Sequence, residues 1–176
     1  MKKIPLTQGK FALVDDEDYN ELSKHKWLAA KCCNKLYARR AIWIKGGNRS
    51  VWMSMHTQLL NPPPGYECDH INGDGLDNRR ANLRIATRAQ NQQNRLKKTG
   101  TTSRYKGVSL TPDGTKWTAH IRWTADGIER QKRLGAFLSE EYAARIYDSA
   151  ATILFKEFAR LNFPGEPLLP IVLPKF

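Results

Sequence analysis

Asp69 and His70 are adjacent, Asn82 follows His70 by twelve residues, and Asn91 lies nine further on. Each of these residue types suits a separate task in cutting a phosphodiester. The Asp69 carboxylate is a hard anionic oxygen for a divalent cation, and the side-chain carbonyl of Asn91 can add a second oxygen to the same ion. Mg²⁺ suits so sparse a set, because it keeps several waters and takes only one or two protein ligands besides phosphate oxygens. His70, with an unperturbed pKa near ~6.5, can remove a proton from attacking water at neutral pH. An ion held beside it would offset charge on a phosphorane-like transition state and on the departing oxygen. Asn82 fits a buttress of the turn that holds His70 better than a substrate contact. His56, within Met55-His56-Thr57-Gln58-Leu59-Leu60, reads as a packed or capping residue.

Short elements must carry these side chains. Glu67 to Ile71 reads as a strand ending at Asp69-His70. A loop rich in Asn, Gly and Asp follows from Asn72 to Asn78, and Leu83-Arg84-Ile85-Ala86 reads as a second strand. Thr87 is a plausible N-cap for a polar helix to about Leu96. On that helix Arg88 and Arg95 flank Asn91 by a turn on either side, where they could hold phosphate or form a solvated face. Upstream, Phe11–Val14, Lys35–Ile44 and Val51–Met53 carry strand-type residues, and Gly46-Gly47-Asn48 supplies turn chemistry for a hairpin. A short helix over His56–Leu60 must end at Asn61-Pro62-Pro63-Pro64-Gly65.

Downstream, Lys97–Ser103 has no apolar periodicity and reads as a linker. Tyr105–Leu110 is predicted as a strand, with a turn at Pro112-Asp113-Gly114. Trp117 to Thr124 then alternates, with Trp117, Ala119, Ile121 and Trp123 on one face and Thr118, His120, Arg122 and Thr124 on the other. After a turn at Asp126-Gly127 and a strand over Glu129–Leu134, Ser139 caps a helix. Glu140 and Glu141 lie in its first turn, and Ala143, Ile146, Tyr147, Ala150, Ile153 and Leu154 form its apolar stripe.

Charge points to the partner. The 176 residues include 29 Lys plus Arg against 17 Asp plus Glu, a net +12 with a pI of about 9.8. Five carboxylates crowd Asp15–Glu21, whereas Asn78–Pro112 has nine basic residues and no acidic one. Such a balance favours a polyanion such as nucleic acid. No apolar stretch approaches the ~20 residues of a bilayer helix, and Pro5, Gln8, Lys10 and Asp15 interrupt any secretory h-region. Cys32, Cys33 and Cys68 offer neither a disulfide framework nor a four-cysteine zinc site. The expectation is a cytoplasmic, non-secreted protein of a bacterial or phage-infected cell, with reduced thiols.

Over Met55–Arg95, the runs Glu67-Cys68-Asp69-His70-Ile71-Asn72-Gly73-Asp74, Asn78-Arg79-Arg80-Ala81-Asn82-Leu83-Arg84 and Thr87-Arg88-Ala89-Gln90-Asn91 resemble the HNH endonucleases. The likeness is to the phage and intron homing branch, whose ββα-metal fold ends in Asn. It implies that Asp69 and Asn91 bind the ion, that His70 is general base, and that Asn82 supports the loop. Asn91 stands where many relatives have His, which implies one Mg²⁺ or Mn²⁺ per active site rather than a structural zinc.

Tyr105 to Pro164 is similar to the Apetala or ethylene-response-factor type of DNA-binding domain. The likeness is carried by Tyr105-Lys106-Gly107-Val108, Trp117–Arg122, Leu134-Gly135-Ala136-Phe137, Glu141–Asp148 and Leu161-Asn162-Phe163-Pro164. That family lays its sheet in the major groove. The resemblance implies DNA contacts at Lys106, Ser109, His120, Arg122, Gln131, Arg133 and Tyr147. Arg122 suits a guanine edge, while Lys106, Arg130, Lys132 and Arg133 suit phosphates. Ser109, Thr111, Asp113, Gln131 and Arg133 replace plant Arg or Trp, so base preference does not transfer. Trp117, Trp123 and Phe137 are expected in the core.

The sequence therefore predicts an α+β protein. Residues 1–96 form an HNH module, hairpin-rich over 1–54 with a ββα-metal core at about 66–96. Residues 97–104 form a basic linker, and 105–164 a three-stranded antiparallel sheet packed on one helix. A Pro-rich tail occupies 165–176. The expected function is a metal-dependent, sequence-preferring DNA endonuclease of homing type, acting on double-stranded DNA as monomer or homodimer and nicking as a monomer. The alternative is a transcription regulator with an inactive nuclease fold. RNA binding is disfavoured, since the sheet resembles a duplex reader with inward aromatics.

Overall fold

Gln8 and Gly9, both with left-handed backbone, turn the chain between β1 (Lys2–Pro5) and β2 (Phe11–Val14), which pair antiparallel. The computed structural model describes residues 1–32, 35–44, 50–97, 99–125 and 127–171. The chain divides into two compact units, Met1–Asn91 and Gln92–Phe176. The turn expected at Gly46-Gly47-Asn48, Lys98 in the expected linker, Asp126 in the expected second turn, and the tail from residue 172 lie outside the described residues.

In the first unit, α1 (Asp16–Leu22) follows β2 with three carboxylates in its first turn, where the helix dipole favours them. The acidic run Asp15–Glu21 was therefore a helix start as well as a charge cluster. β3 (Leu28–Cys32), β4 (Lys35–Trp43) and β5 (Ser50–Ser54) form an antiparallel sheet in that order. α2 (Met55–Leu60) then ends at left-handed Asn61 before the prolines. β6 (Tyr66–His70) pairs antiparallel with β7 (Leu83–Thr87), and α3 (Arg88–Gln93) completes a ββα unit. Thr87 and Gln90 cap α3 reciprocally: Gln90 N donates to Thr87 Oγ1 at 3.3 Å and Thr87 N to Gln90 Oε1 at 2.8 Å. The helix stops at Gln93, short of the expected Leu96. The core gathers Ile4, Ala12, Val14, Leu22, Trp27 and Met55, with the Trp27 indole N–H donating to Leu22 O at 2.8 Å.

In the second unit, β8 (Val108–Leu110), β9 (Trp117–Ala125) and β10 (Ile128–Phe137) form a three-stranded antiparallel sheet with β9 central, packed on α4 (Glu140–Phe155). Ser139 Oγ accepts from Tyr142 N at 3.2 Å, the cap its sequence predicts. Ala119 and Ile121 are fully buried, and Trp117, Trp123 and Phe137 pack around them. Ile153 corrects the predicted stripe, being 52% exposed. The buried face turns instead toward Ala144, Ala151 and Phe155. A bulge between Arg133 and Gly135 sets Leu134 out of register. One extra residue reverses strand parity, so Leu134 and Phe137 both reach the helix side. Asp148 clamps the following segment, accepting from the backbone N of Asn162 and Phe163 and from Asn162 Nδ2, each at 2.9 Å. Among the described residues no helix is long and apolar enough to cross a membrane.

Candidate active site and nucleic-acid interface

The loop between β6 and β7 is built from side chains. Asn82 Oδ1 accepts from Asn72 N at 2.9 Å, while its Nδ2 donates to Asn72 Oδ1 at 3.0 Å and to Asp77 O at 2.8 Å. Asp77 takes Arg79 Nε at 2.7 Å and Asn72 Nδ2 at 2.9 Å, and the guanidinium holds its carboxyl below the usual range. β2 grips the same loop: Leu13 N donates to Leu76 O at 2.9 Å and Asn78 N to Leu13 O at 2.8 Å. Arg80 reaches α1, its Nε donating to Asp18 at 2.9 Å and its backbone N to Asp15 at 2.7 Å. Gly75 allows the loop to lie against β4, since a Cβ there would fall 2.4 Å from Leu36 O and 2.6 Å from the Tyr37 ring. The amino-terminal hairpin and α1 thus brace this loop.

The loop delivers His70, which is 6% exposed. Its Nε2 lies 3.4 Å from Oδ1 of fully buried Asn78, and its ring meets His56 edge-on at 4.9 Å and Tyr37 at 5.9 Å. Burial is the main cause lowering the His70 pKa, which favours the neutral imidazole. His56 is packed, as its sequence suggests, and burial pulls it down to about 3.

Asp69, 4% exposed, accepts at Oδ2 from Arg84 Nε at 2.8 Å and pairs with Arg84 Nη2 at 2.7 Å. Asn91 Nδ2 donates to Glu67 Oε2 at 2.7 Å, which turns its carboxamide oxygen away from Glu67. Glu67 and Asp69 are alternate residues of β6 and so leave the same face, ~7 Å apart along the strand. Glu67 therefore draws Asn91 to the face that carries Asp69, and the His70 ring packs on those of His56 and Tyr37.

A cleft of about 420 Å³ passes β6, its lining including Tyr37, Arg39, His56, Glu67, Cys68 and Asn91. Asp69 and His70 stand behind this lining rather than in it. Among the described residues no three His, Cys, Asp or Glu side chains converge as a metal cluster. Asp69 and Asn91 nevertheless each offer a hard oxygen donor of the kind a divalent cation takes together with water. Sequence reasoning did not single out Glu67, whose place two residues before Asp69 on one strand is the signal that would have found it. Tyr37, Arg39 and the link from Asn78 to His70 were not, since only the tertiary fold brings them there.

On the second unit, the sheet face away from α4 carries Ser109, Thr118, His120, Arg122, Gln131 and Arg133. A shallow cavity of about 380 Å³ lies on it, lined by Ser109, Thr118, His120, Gln131, Arg133 and the turn at Leu110–Pro112. Arg122 is held between Glu129 at 2.9 Å and Gln131 at 2.7 Å. Burial, then the charges of Arg122 and Lys97, lower the His120 pKa.

Four expected contacts are elsewhere. Lys106 turns its ammonium onto the carbonyls of Gln93 and Arg95 at the end of α3, the latter at 2.9 Å, and burial pulls it down to about 8. Tyr147 is 4% exposed and packs against Gly107 in the core. Arg130 and Lys132 pair across the sheet with Trp123 and Ile121, so they share the helix-side face, while their neighbours Gln131 and Arg133 pair with Arg122 and His120 on the open one. Arg88 is exposed at the first turn of α3, and Arg95 is exposed beyond its end.

The HNH endonuclease family model matches residues 51–93, which span α2, the β6–β7 hairpin and α3. An uncharacterised HNH endonuclease of Acanthamoeba polyphaga mimivirus is 29% identical over 157 residues, 88% of this chain and 76% of the relative. Protein 3.8 of Escherichia phage T7 is 34% identical over 112 residues, covering 64% of this chain and 86% of that protein. An AP2/ERF and B3 domain-containing protein of Oryza sativa subsp. japonica is 48% identical over 65 residues, 36% of this chain but only 16% of the rice protein. No solved structure matches the chain. Residues 51–93, which form α2, the β6–β7 hairpin and α3, thus match the HNH endonuclease family, and the sheet and helix that follow are similar to AP2/ERF proteins.

Proposed function

We propose that this protein is a divalent-metal-dependent endonuclease of homing type, with a cutting module over residues 1–96, a linker over 97–104, and a duplex-DNA reader over 105–164. The observation that carries the reading is the cleft beside β6, bounded by Asn91 on Glu67 and by the His56 and Tyr37 rings that pack on His70. Asp69 and Asn91 would hold Mg²⁺ or Mn²⁺, with Glu67 orienting the Asn91 carboxamide. The ion, when bound, supplies positive charge against the transition state and the leaving oxygen. His70, kept neutral by burial and steadied by Asn78, accepts the proton of the attacking water. Asn82 holds the loop that presents His70. Ser109, His120, Arg122, Gln131 and Arg133 face the duplex from the open sheet. With one such centre per chain, a monomer nicks one strand, and a double-strand break needs a dimer or two events.

Incubation of supercoiled plasmid with Mg²⁺ tests the reading. Conversion to open circles is expected, and His70→Ala should slow it by ~10²–10⁴ while retaining duplex binding. A second reading, a DNA-binding regulator with a silent nuclease fold, is favoured by one observation: Asp69 is buried and ion-paired with Arg84. It predicts no cleavage even of a plasmid carrying a selected binding site.

A further inference from the structure

Arg39 lies mid-strand in β4, opposite Leu28 on one side and Ser54 on the other, and its side chain lines the cleft with His56, Glu67 and Asn91. Its Nε is shielded from solvent and has no hydrogen-bond partner. Its guanidinium makes no ion pair among the described residues. Neighbouring arginines are engaged: Arg40 with Gln58 at 3.0 Å, Arg79 with Asp77 at 2.6 Å, and Arg84 with Asp69 at 2.7 Å. His56 Nδ1, in the same cleft, is likewise buried and unpartnered. A cleft that shelters a cation whose Nε lacks an acceptor is built for an acceptor-rich anion, because buried donors are ordinarily paired.

We infer that Arg39 receives a backbone phosphate of the DNA in this cleft, its planar fork taking two non-bridging oxygens. The fork geometry matches phosphate in two parallel hydrogen bonds, which a lysine ammonium cannot reproduce. Arg39 then positions the strand against the Asn91 side of the cleft. The inference rests on the nuclease reading for its substrate, but its anion chemistry can be measured apart from cleavage.

The test uses the full chain as wild type, Arg39→Lys and Arg39→Ala. Plasmid nicking is followed together with a titration of thymidine 3′,5′-bisphosphate, read at the arginine Nε–H signals by ¹⁵N NMR. The Arg39 signal is assigned by its loss in Arg39→Lys. A saturable shift of that signal is expected in wild type and in His70→Ala alike. Arg39→Ala should lower kcat/KM for nicking by ~10² or more, and Arg39→Lys by less, since it keeps the charge without the fork. No shift at millimolar bisphosphate overturns the inference, as does a kcat/KM within about two-fold of wild type in a folded Arg39→Ala. If Arg39→Ala does not fold, Arg39→Lys and the wild-type titration decide. If wild type nicks nothing, the nuclease reading fails, and the bisphosphate shift alone then supports or overturns the anion site.

Discussion

Asn82 engages both polar atoms of its carboxamide in the loop after His70 and so braces that loop. Asn82→Ala should cost about 1–3 kcal/mol, since it strands partners that are partly buried. Denaturant melts and faster amide exchange at Asn72 would show it. Glu67 acts in a similar way on Asn91. Glu67→Ala should weaken the Mg²⁺ dependence of nicking by about 10–100-fold, the usual effect of losing a group that orients a metal ligand. An Mg²⁺ titration of the nicking rate checks this. Unchanged dependence would separate Asn91 from the ion.

Elements set the next level. Gly107, with φ +76°, gives way to the Tyr147 ring; a Cβ there would lie 1.9 Å from Tyr147 Cδ2. Gly107→Ala is expected to destabilise the second unit by about 1–3 kcal/mol or more through clash and backbone strain, seen as a lower Tm. Lys106 closes the end of α3 from a buried position, at about 8 against the ordinary lysine value of 10.5. The unfolded chain then binds more protons between these two values. Stability should therefore rise as pH increases from about 8 to about 10.5, and be lower below that window. Guanidinium melts at the two ends should show the slope, and Lys106→Met should flatten it.

At the scale of the whole molecule, a net charge of +12 directs the protein to a polyanion, but only some of that charge is placed to meet one. Arg80, Arg84 and Lys106 are committed to partners in the protein, whereas Arg122 and Arg133 stand on the open face of the sheet. Duplex binding that neutralises six to ten phosphates should weaken by ~10³–10⁵ between 50 and 200 mM salt. Arg133→Ala should reduce that salt slope by about one, the signature of a single lost phosphate contact. Fluorescence anisotropy across a salt series measures both. Lys106→Ala, by contrast, should leave the slope unchanged.

The parts legible in the sequence were those governed by near neighbours along the chain. Thr87 with Gln90 and Ser139 with Tyr142 cap helices across three residues. Trp117 to Thr124 sorts into two faces because a strand repeats every two residues. The order Asp69, His70, Asn82, Asn91 was equally plain, as was the ββα pattern around it. The rest depended on where distant segments came to lie. Arg80 meets Asp18 across 62 positions, and Tyr37 and Arg39 reach the cleft from another sheet. Arg130 and Lys132 look as basic in sequence as Arg133, yet strand register turns them to the helix side. Lys106 meets carbonyls that only the end of α3 presents. Residue type and local period determined which chemistry the chain could host, and the packing of remote elements decided which side chains were left to perform it.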